Sequence, residues 1–319
     1  MGILELVLLG VGAWFAINMG ASGLAPAFGA TMGARLISAR WAALWFGIFV
    51  IAGALLFGSH VAKTLSSGMV PDTSFDVTTT LIVLSATNVA LLLANLIGIP
   101  QSTSWVTVAA IIVLGAVDRN LTTHTLTHRL LPAWILMPLA GFVIAVIAVR
   151  ATYPLTGWSL HAWLTKRAPL LRVLAFASSC YVAFAIGANN VANAVGPISA
   201  AHVFEVNTGM WLLAPAFGVG AFVLRGPARM IGRDVVPIGL LTATICNIIV
   251  ASLLLIASRM GLPQSLVQLN AAAVLGVALV KEGPSAMFQG RRTRRMLVVW
   301  VITPILAALL TLIGLVVVR

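Results

Sequence analysis

Apolar segments of roughly membrane-spanning length follow one another along nearly the whole chain, with only short polar stretches between them. A helix needs about 20 apolar residues to cross the hydrocarbon of a bilayer. The stretches at 3–34, 41–58, 78–97, 101–117, 130–150, 170–202, 209–224, 235–258, 263–280 and 296–318 reach or approach that length. Lipid offers no partner to an unpaired amide, so such segments fold as helices that satisfy their own backbone. With 61% hydrophobic and 8% charged residues, little is left for a soluble module. The fold class is an all-α polytopic membrane protein.

The net charge of +12 does not signal nucleic acid. Its basic residues stand in loops and at segment ends, where they report topology. Cys180 and Cys246 lie in apolar segments without metal-type spacing and read as buried thiols. Neither a metal nor a cofactor is called for. Glu5 and the lack of a basic leader region predict that the first segment is kept in the mature protein.

The first half of the chain resembles the second. Phe15-Ala16-Ile17 returns as Phe184-Ala185-Ile186, and Gly20 to Gly29 aligns without gaps on Gly187 to Gly196 at an offset of 167. Gly98-Ile99-Pro100-Gln101-Ser102-Thr103 returns as Gly261-Leu262-Pro263-Gln264-Ser265-Leu266 at an offset of 163. An internal repeat of hydrophobic segments is the mark of a secondary transporter, whose site lies near the bilayer midplane where discontinuous helices of the two halves meet.

Segments 3–34 and 170–202 are long for one span and carry a Gly/Asn/Ser/Pro cluster near their centres, so each reads as one crossing broken at mid-membrane. Segments 78–97 and 101–117 read as a re-entrant hairpin with its tip at Gly98 to Thr103, and 235–280 as a second with its tip at Gly261 to Ser265. Each half then crosses an odd number of times, which makes residues 1–157 and 158–319 inverted repeats. With both termini outside, fourteen basic residues fall inside, while Lys63, Arg119, Arg129 and Arg319 fall outside. The positive-inside rule favours this arrangement.

Four polar clusters thus converge near the midplane. They offer Gly20, Ala21, Ser22 and Gly23, then Gln101, Ser102, Thr103 and Ser104, then Gly187, Asn189, Asn190 and Asn193, and finally Gln264, Ser265 and Gln268, with no acid among them. A lone Asn in a membrane helix is commonly interhelical glue. Three Asn within five residues, flanked by glycines and closed by Pro197, point to a ligand. Helices that start at mid-membrane present unpaired N–H groups and the positive end of their dipole, which suits an oxyanion held by neutral donors. Arg259 stands one turn before the second tip and is the only basic residue this topology puts inside the membrane. It either supplies charge to the anion or snorkels to the interface. Trp105, Trp134 and Trp300 read as interface or packing residues.

Gly-Ala-Asn-Asn-Val-Ala-Asn-Ala-Val-Gly-Pro from Gly187, with its weaker copy from Gly20, resembles the signature of the inorganic phosphate transporter (PiT) family, and Pro-Gln-Ser-Thr-Ser resembles that family's hairpin motif. The resemblance spans nearly the whole chain. The family's usual motif carries Asn-Asp where this chain has Asn189-Asn190 in the second copy and Ser22-Gly23 in the first. In the phosphate carriers those aspartates serve the phosphate and sodium sites. The pattern without them is similar to the bacterial sulfate permease (CysP-type) branch.

The chemistry of the two anions agrees. Phosphate at neutral pH keeps a proton and gains from a carboxylate acceptor, whereas sulfate has none to give. An aspartate aimed at sulfate meets only like charge; Asn in its place adds an N–H₂ donor. Sodium loses its strongest hard-oxygen ligands by the same change. The expectation is a non-enzymatic secondary transporter of the plasma membrane, importing sulfate by alternating access, with the proton as coupling ion as the resemblance implies. Glu5 and His60 are candidates to carry that proton, each also readable as an interfacial residue. A phosphate permease with altered coupling is the alternative. Sulfate, the proton and the lipid bilayer are the expected partners, nucleic acid is not, and the sequence admits a homodimer.

Overall fold

The computed structural model describes residues 2–97, 101–153, 163–164, 166–223, 239–284 and 291–318, with residues 291–297 and 299 described by their backbone alone. Gly98 to Pro100 of the first tip, the loop residues Arg225, Arg229 and Arg233, and the 157/158 boundary between the expected repeats lie outside the described residues.

The elements in order are α1 (Ile3–Gly33), α2 (Ala39–Lys63), α3 (Val77–Ile97), α4 (Thr103–Val117), α5 (Leu131–Thr152), α6 (Ala168–Asn190), α7 (Ala192–Ala200), α8 (Val206–Val223), α9 (Leu240–Arg259), α10 (Leu266–Glu282) and α11 (Arg291–Val318). No strand occurs among the described residues, and eight helical stretches are long and apolar enough to cross a membrane. Large apolar side chains such as Leu56, Ile135, Ile147, Trp211 and Ile302 remain exposed on the outer helices. That is the surface of a protein whose solvent is hydrocarbon.

The expected break in the first long segment is absent. α1 runs as one helix from Ile3 to Gly33, with Pro26 in its interior. Proline removes one ladder bond, and Pro26 leaves the carbonyl of Ser22 without its usual partner. The Ser22 hydroxyl meanwhile donates to the Met19 carbonyl, 2.8 Å away in its own helix. In the second copy the ladder is interrupted at a single residue, Val191, between α6 and α7. The backbone there stays helical, and Ala194 and Val195 both donate to the Val191 carbonyl.

Contacts between the halves occur in exchanged pairs. α1 packs on α8 as α6 packs on α2, and α5 covers the α9–α10 pair as α11 covers the α3–α4 pair. Four glycines set the closest approaches. A methyl group on Gly20 would run into the carbonyl oxygen of Phe217, and one on Gly187 into that of Val50. One on Gly53 would strike the Phe184 carbonyl, and one on Gly220 that of Ile17. Both pairs of contacts exchange under the same 167-residue offset, the reciprocity expected across a two-fold axis. Small residues let helix backbones touch in this way where no hydrophobic drive is available.

α3 and α9 have 21 and 20 residues, each long enough at about 1.5 Å per residue to span about 30 Å, while their partners α4 and α10 have 15 and 17. The second tip reaches the far end of α2. Gly261 adopts φ +69°, and its open side faces the His60 carbonyl and the Thr64 hydroxyl.

Candidate functional site

Both hairpins turn into their second helix in the same way. Ser102 precedes α4 with φ −87° and ψ 109°, and its hydroxyl accepts from the Trp105 N–H at 3.2 Å. Ser265 precedes α10 with φ −82° and ψ 106° and accepts from the Gln268 N–H at 3.2 Å. Each serine satisfies one of the N–H groups that a helix start leaves without an internal partner, and the others stay available. Thr103 opens α4, and Leu266 and Val267 open α10. All three line a cleft completed by Ser22, Gly23 and Pro26 of α1, Gln101, Ser102 and Asn190. The cleft, with its open mouth, amounts to about 350 Å³. Its lining holds no charged side chain, so the positive ends of two helices are its main electrostatic feature.

Thr103 is the hub. Its hydroxyl oxygen receives the side-chain amides of Asn190 at 3.3 Å and Asn193 at 3.2 Å. With two donors already at the oxygen, its own proton is left to donate elsewhere. Asn193 also reaches the Ser104 hydroxyl at 3.4 Å, and Ser104 lies 3.2 Å from the Gln264 carbonyl, to which it donates. This chain joins the first tip, α6–α7 and the second tip.

Around it lies a set of buried amide atoms with no protein partner. Both polar atoms of Gln101 and of Gln264 are in this state, as are the side-chain oxygens of Asn190, Asn193 and Gln268. Gln264 and Asn193 are 0% exposed and Gln101 3%. An unmade buried hydrogen bond costs about 1–3 kcal/mol, so an amide cluster of this kind persists when something else completes it. Gln101 and Gln264 can turn either end of the amide to a ligand, and one of Asn190 and Asn193 can turn over to take the Thr103 proton and present N–H₂ in place of oxygen.

The remaining expected site residues serve the frame. Asn189 donates to the Ser258 hydroxyl at 3.1 Å and the Leu262 carbonyl at 2.9 Å, and its oxygen accepts the Gln264 N–H at 3.0 Å. It is the interhelical glue that a membrane Asn commonly is, and it ties the second tip to α6. Gly20, Ala21 and Gly187 are buried in the α1–α8 and α6–α2 contacts. Of the two readings open for Arg259, charge supplied to the anion or a side chain turned to the interface, the structure has the outward one. The Arg259 side chain is exposed, with the guanidinium 5.7 Å from the centre of the Phe57 ring, and it takes no part in the cleft lining. Placed at the last position of α9, a long cation is solvated more cheaply outward than buried unpaired. Glu5, one of the two candidate proton carriers, accepts the Gly2 N–H at 3.0 Å and so caps α1.

Sequence reasoning missed the cleft residues Leu266 and Val267, which have no polar atom to announce them, and Ser258, which the offset of 163 pairs with Asn95. Asn95 donates to the side-chain oxygen of Asn18 at 2.7 Å, and Asn18 donates to Asn88 at 2.8 Å. The first half therefore has its own amide relay between α1 and α3.

The sequence profile described as the phosphate transporter family matches residues 19–311. The chain belongs to this family. Within it, sulfate permease CysP of Bacillus subtilis (strain 168) is 30% identical over 306 residues, covering 95% of this chain and 85% of that protein. TK2061 of Thermococcus kodakarensis, whose name points to phosphate permeases, is 25% identical, with 97% of this chain and 96% of the relative covered. Among solved structures, that of "The sodium-dependent phosphate transporter" shares the fold with a TM-score of 0.87 over 99% of both chains, at 20% identity. Membership in the phosphate transporter family and the eight apolar helices make the protein a multi-pass transporter of the plasma membrane.

Proposed function

We propose that this member of the family imports sulfate, binding it in the uncharged cleft between the two hairpin tips and releasing it by alternating access. The observation that carries this reading is the buried, unpartnered amides of Gln101 and Gln264 and the unpartnered side-chain oxygens of Asn190 and Asn193, in and behind a lining that holds two helix starts and no carboxylate. A fully deprotonated oxyanion needs donors on every side and is repelled by Asp or Glu. Sites built on hydrogen bonds discriminate by about 10⁴ or more when one partner is left unpaired. Thr103, Ser102, Gln101, Asn190 and the free N–H groups of α4 and α10 are the donors in this reading, with Ser22 opposite them on α1.

The reciprocal contacts of α1 with α8 and α6 with α2, and the matched caps at Ser102 and Ser265, support reading residues 1–157 and 158–319 as inverted repeats with re-entrant hairpins. The proton is the proposed coupling ion. Since no titratable side chain lines the cleft, the proton would be carried elsewhere, with His60, exposed on α2, as a candidate.

Uptake into proteoliposomes holding the purified protein tests the proposal. Labelled sulfate should accumulate when a pH gradient is imposed, and excess phosphate should compete poorly. The second reading, a phosphate permease with altered coupling, is favoured by the family's name and by the fold of the sodium-dependent relative. Phosphate uptake that excess sulfate leaves untouched would establish it and end the sulfate reading. Flux that never exceeds electrochemical equilibrium would mark a channel instead.

A further inference from the structure

Between Met260 and Gln264 the second hairpin has left one helix and not yet entered the next, so its carbonyls have few partners of their own. Four side chains from outside the hairpin supply them. Arg129 Nη2 donates to the Met260 carbonyl at 2.8 Å, Asn189 to Leu262 at 2.9 Å, Trp134 Nε1 to Pro263 at 2.8 Å and Ser104 to Gln264 at 3.2 Å. Asn189 and Ser104 belong to the site already described. Arg129 and Trp134 do not, and they come from one place: the last turn before α5 and the first turns of α5 itself. Trp134 is further fixed by the Trp105 indole, 4.9 Å away between ring centres and two positions past the cleft-lining Thr103 of α4. Arg129, which the sequence places in an outer loop, is thus bonded to the hairpin 131 residues later.

A second, independent observation lies in the sequence. Arg129, Trp134 and Pro138 recur as Arg295, Trp300 and Pro304, all at an offset of 166. The second set stands on α11, the helix that packs on the first hairpin as α5 packs on the second. An Arg-x₄-Trp-x₃-Pro pattern carried by the helix that covers each hairpin is a matched device rather than two unrelated surface residues.

We propose that Arg129 and Trp134 are positioning residues that clamp the second hairpin tip through its carbonyls, and so set where Gln264 and the start of α10 meet the anion. The inference rests on the tip's belonging to the anion site. Neither side chain touches that site: Arg129 acts on Met260, and Trp134 acts on Pro263, next in the chain to Gln264. Trp134→Phe keeps the ring packed on Trp105 and deletes one N–H. Arg129→Gln shortens an exposed side chain and leaves the core alone, and Arg129→Lys keeps a cation able to donate.

The test is hydrogen exchange on the full-length protein in nanodiscs, read at the amides of Gly261, Leu262 and Gln264, which bond to Ser258, Ala257 and the Asn189 side chain. It is paired with sulfate uptake by the same variants in proteoliposomes. Trp134→Phe and Arg129→Gln should each speed exchange at the tip severalfold. Each should raise the half-saturating sulfate concentration about three- to tenfold, the usual worth of one hydrogen bond, while the maximal rate changes less than twofold. Arg129→Lys should recover most of both effects. Unchanged exchange in both variants overturns the clamp, whatever transport does. Faster exchange with unaltered half-saturation overturns the positioning role. If wild-type vesicles take up phosphate and not sulfate, the functional reading fails by itself, and the same comparison is made with labelled phosphate.

Discussion

Asn190 carries the sharpest residue-scale test. Its amide donates to Thr103 while its oxygen is unpartnered inside the cleft. Asn190→Asp puts a carboxylate where the proposed ligand is an anion, and should raise the half-saturating sulfate concentration at least about tenfold in an uptake assay. Unchanged kinetics would remove Asn190 from the site. Gln264 gives a test of opposite sign in two measurements. Its amide is 0% exposed and has no protein partner, so Gln264→Leu relieves an unpaired polar group in the anion-free protein. Thermal denaturation in sulfate-free detergent should show the variant equal to wild type or more stable by about 1 kcal/mol, while sulfate uptake falls. Much of this cluster is legible in the sequence, because amides and hydroxyls have no reason to gather in an apolar segment. The division of labour among them is not. Asn189 and Asn190 are neighbours of the same type, yet one is spent entirely on Ser258, Leu262 and Gln264 while the other opens on the cleft. Helix rotation between consecutive residues, about 100°, decides that, and only the packing of α6 fixes the rotation.

Element-scale behaviour follows from ends and close contacts. Ser102 and Ser265 cap α4 and α10, and a lost cap costs about 1 kcal/mol. Ser102→Ala with Ser265→Ala should therefore reduce both stability and sulfate affinity. Arg119→Gln, just beyond the C-terminal end of α4, is the control expected to leave uptake unchanged. Arg129 cannot serve as that control, since it holds Met260. Arg35, Arg119 and His202 each adopt φ 57°, immediately beyond the ends of α1, α4 and α7, a conformation costing about 1–2 kcal/mol in any residue with a Cβ. Arg35→Gly and His202→Gly should each raise the melting temperature, and no change in either would mean the turn is held from elsewhere. The tips, their Pro-Gln-Ser sequence and the second helical interruption were readable from glycine, proline and cap residues. The continuity of α1 was not, because a helix tolerates an interior proline where neighbours fit around it, and that fit belongs to Gly20, Gly23 and their partners in other elements.

For the whole molecule, the contacts that matter run between the halves. Gly20 on Phe217 and Gly187 on Val50 are backbone-to-backbone approaches that no rotamer change can relieve. Gly20→Ala should lower the yield of monodisperse protein on size-exclusion chromatography, and Gly29→Ala, with open space at its Cβ position, should not. The repeat was legible from two offsets in the sequence; which helix of one half meets which of the other was not, since a repeat specifies two similar objects and leaves their docking open. That docking bears on how the protein is made. α11 covers α3 and α4 yet leaves the ribosome after every other described helix. During synthesis the first hairpin therefore waits in the membrane, its final lid still untranslated. Until that last helix arrives, the face of α3 and α4 that it buries lies open to whatever surrounds the nascent chain.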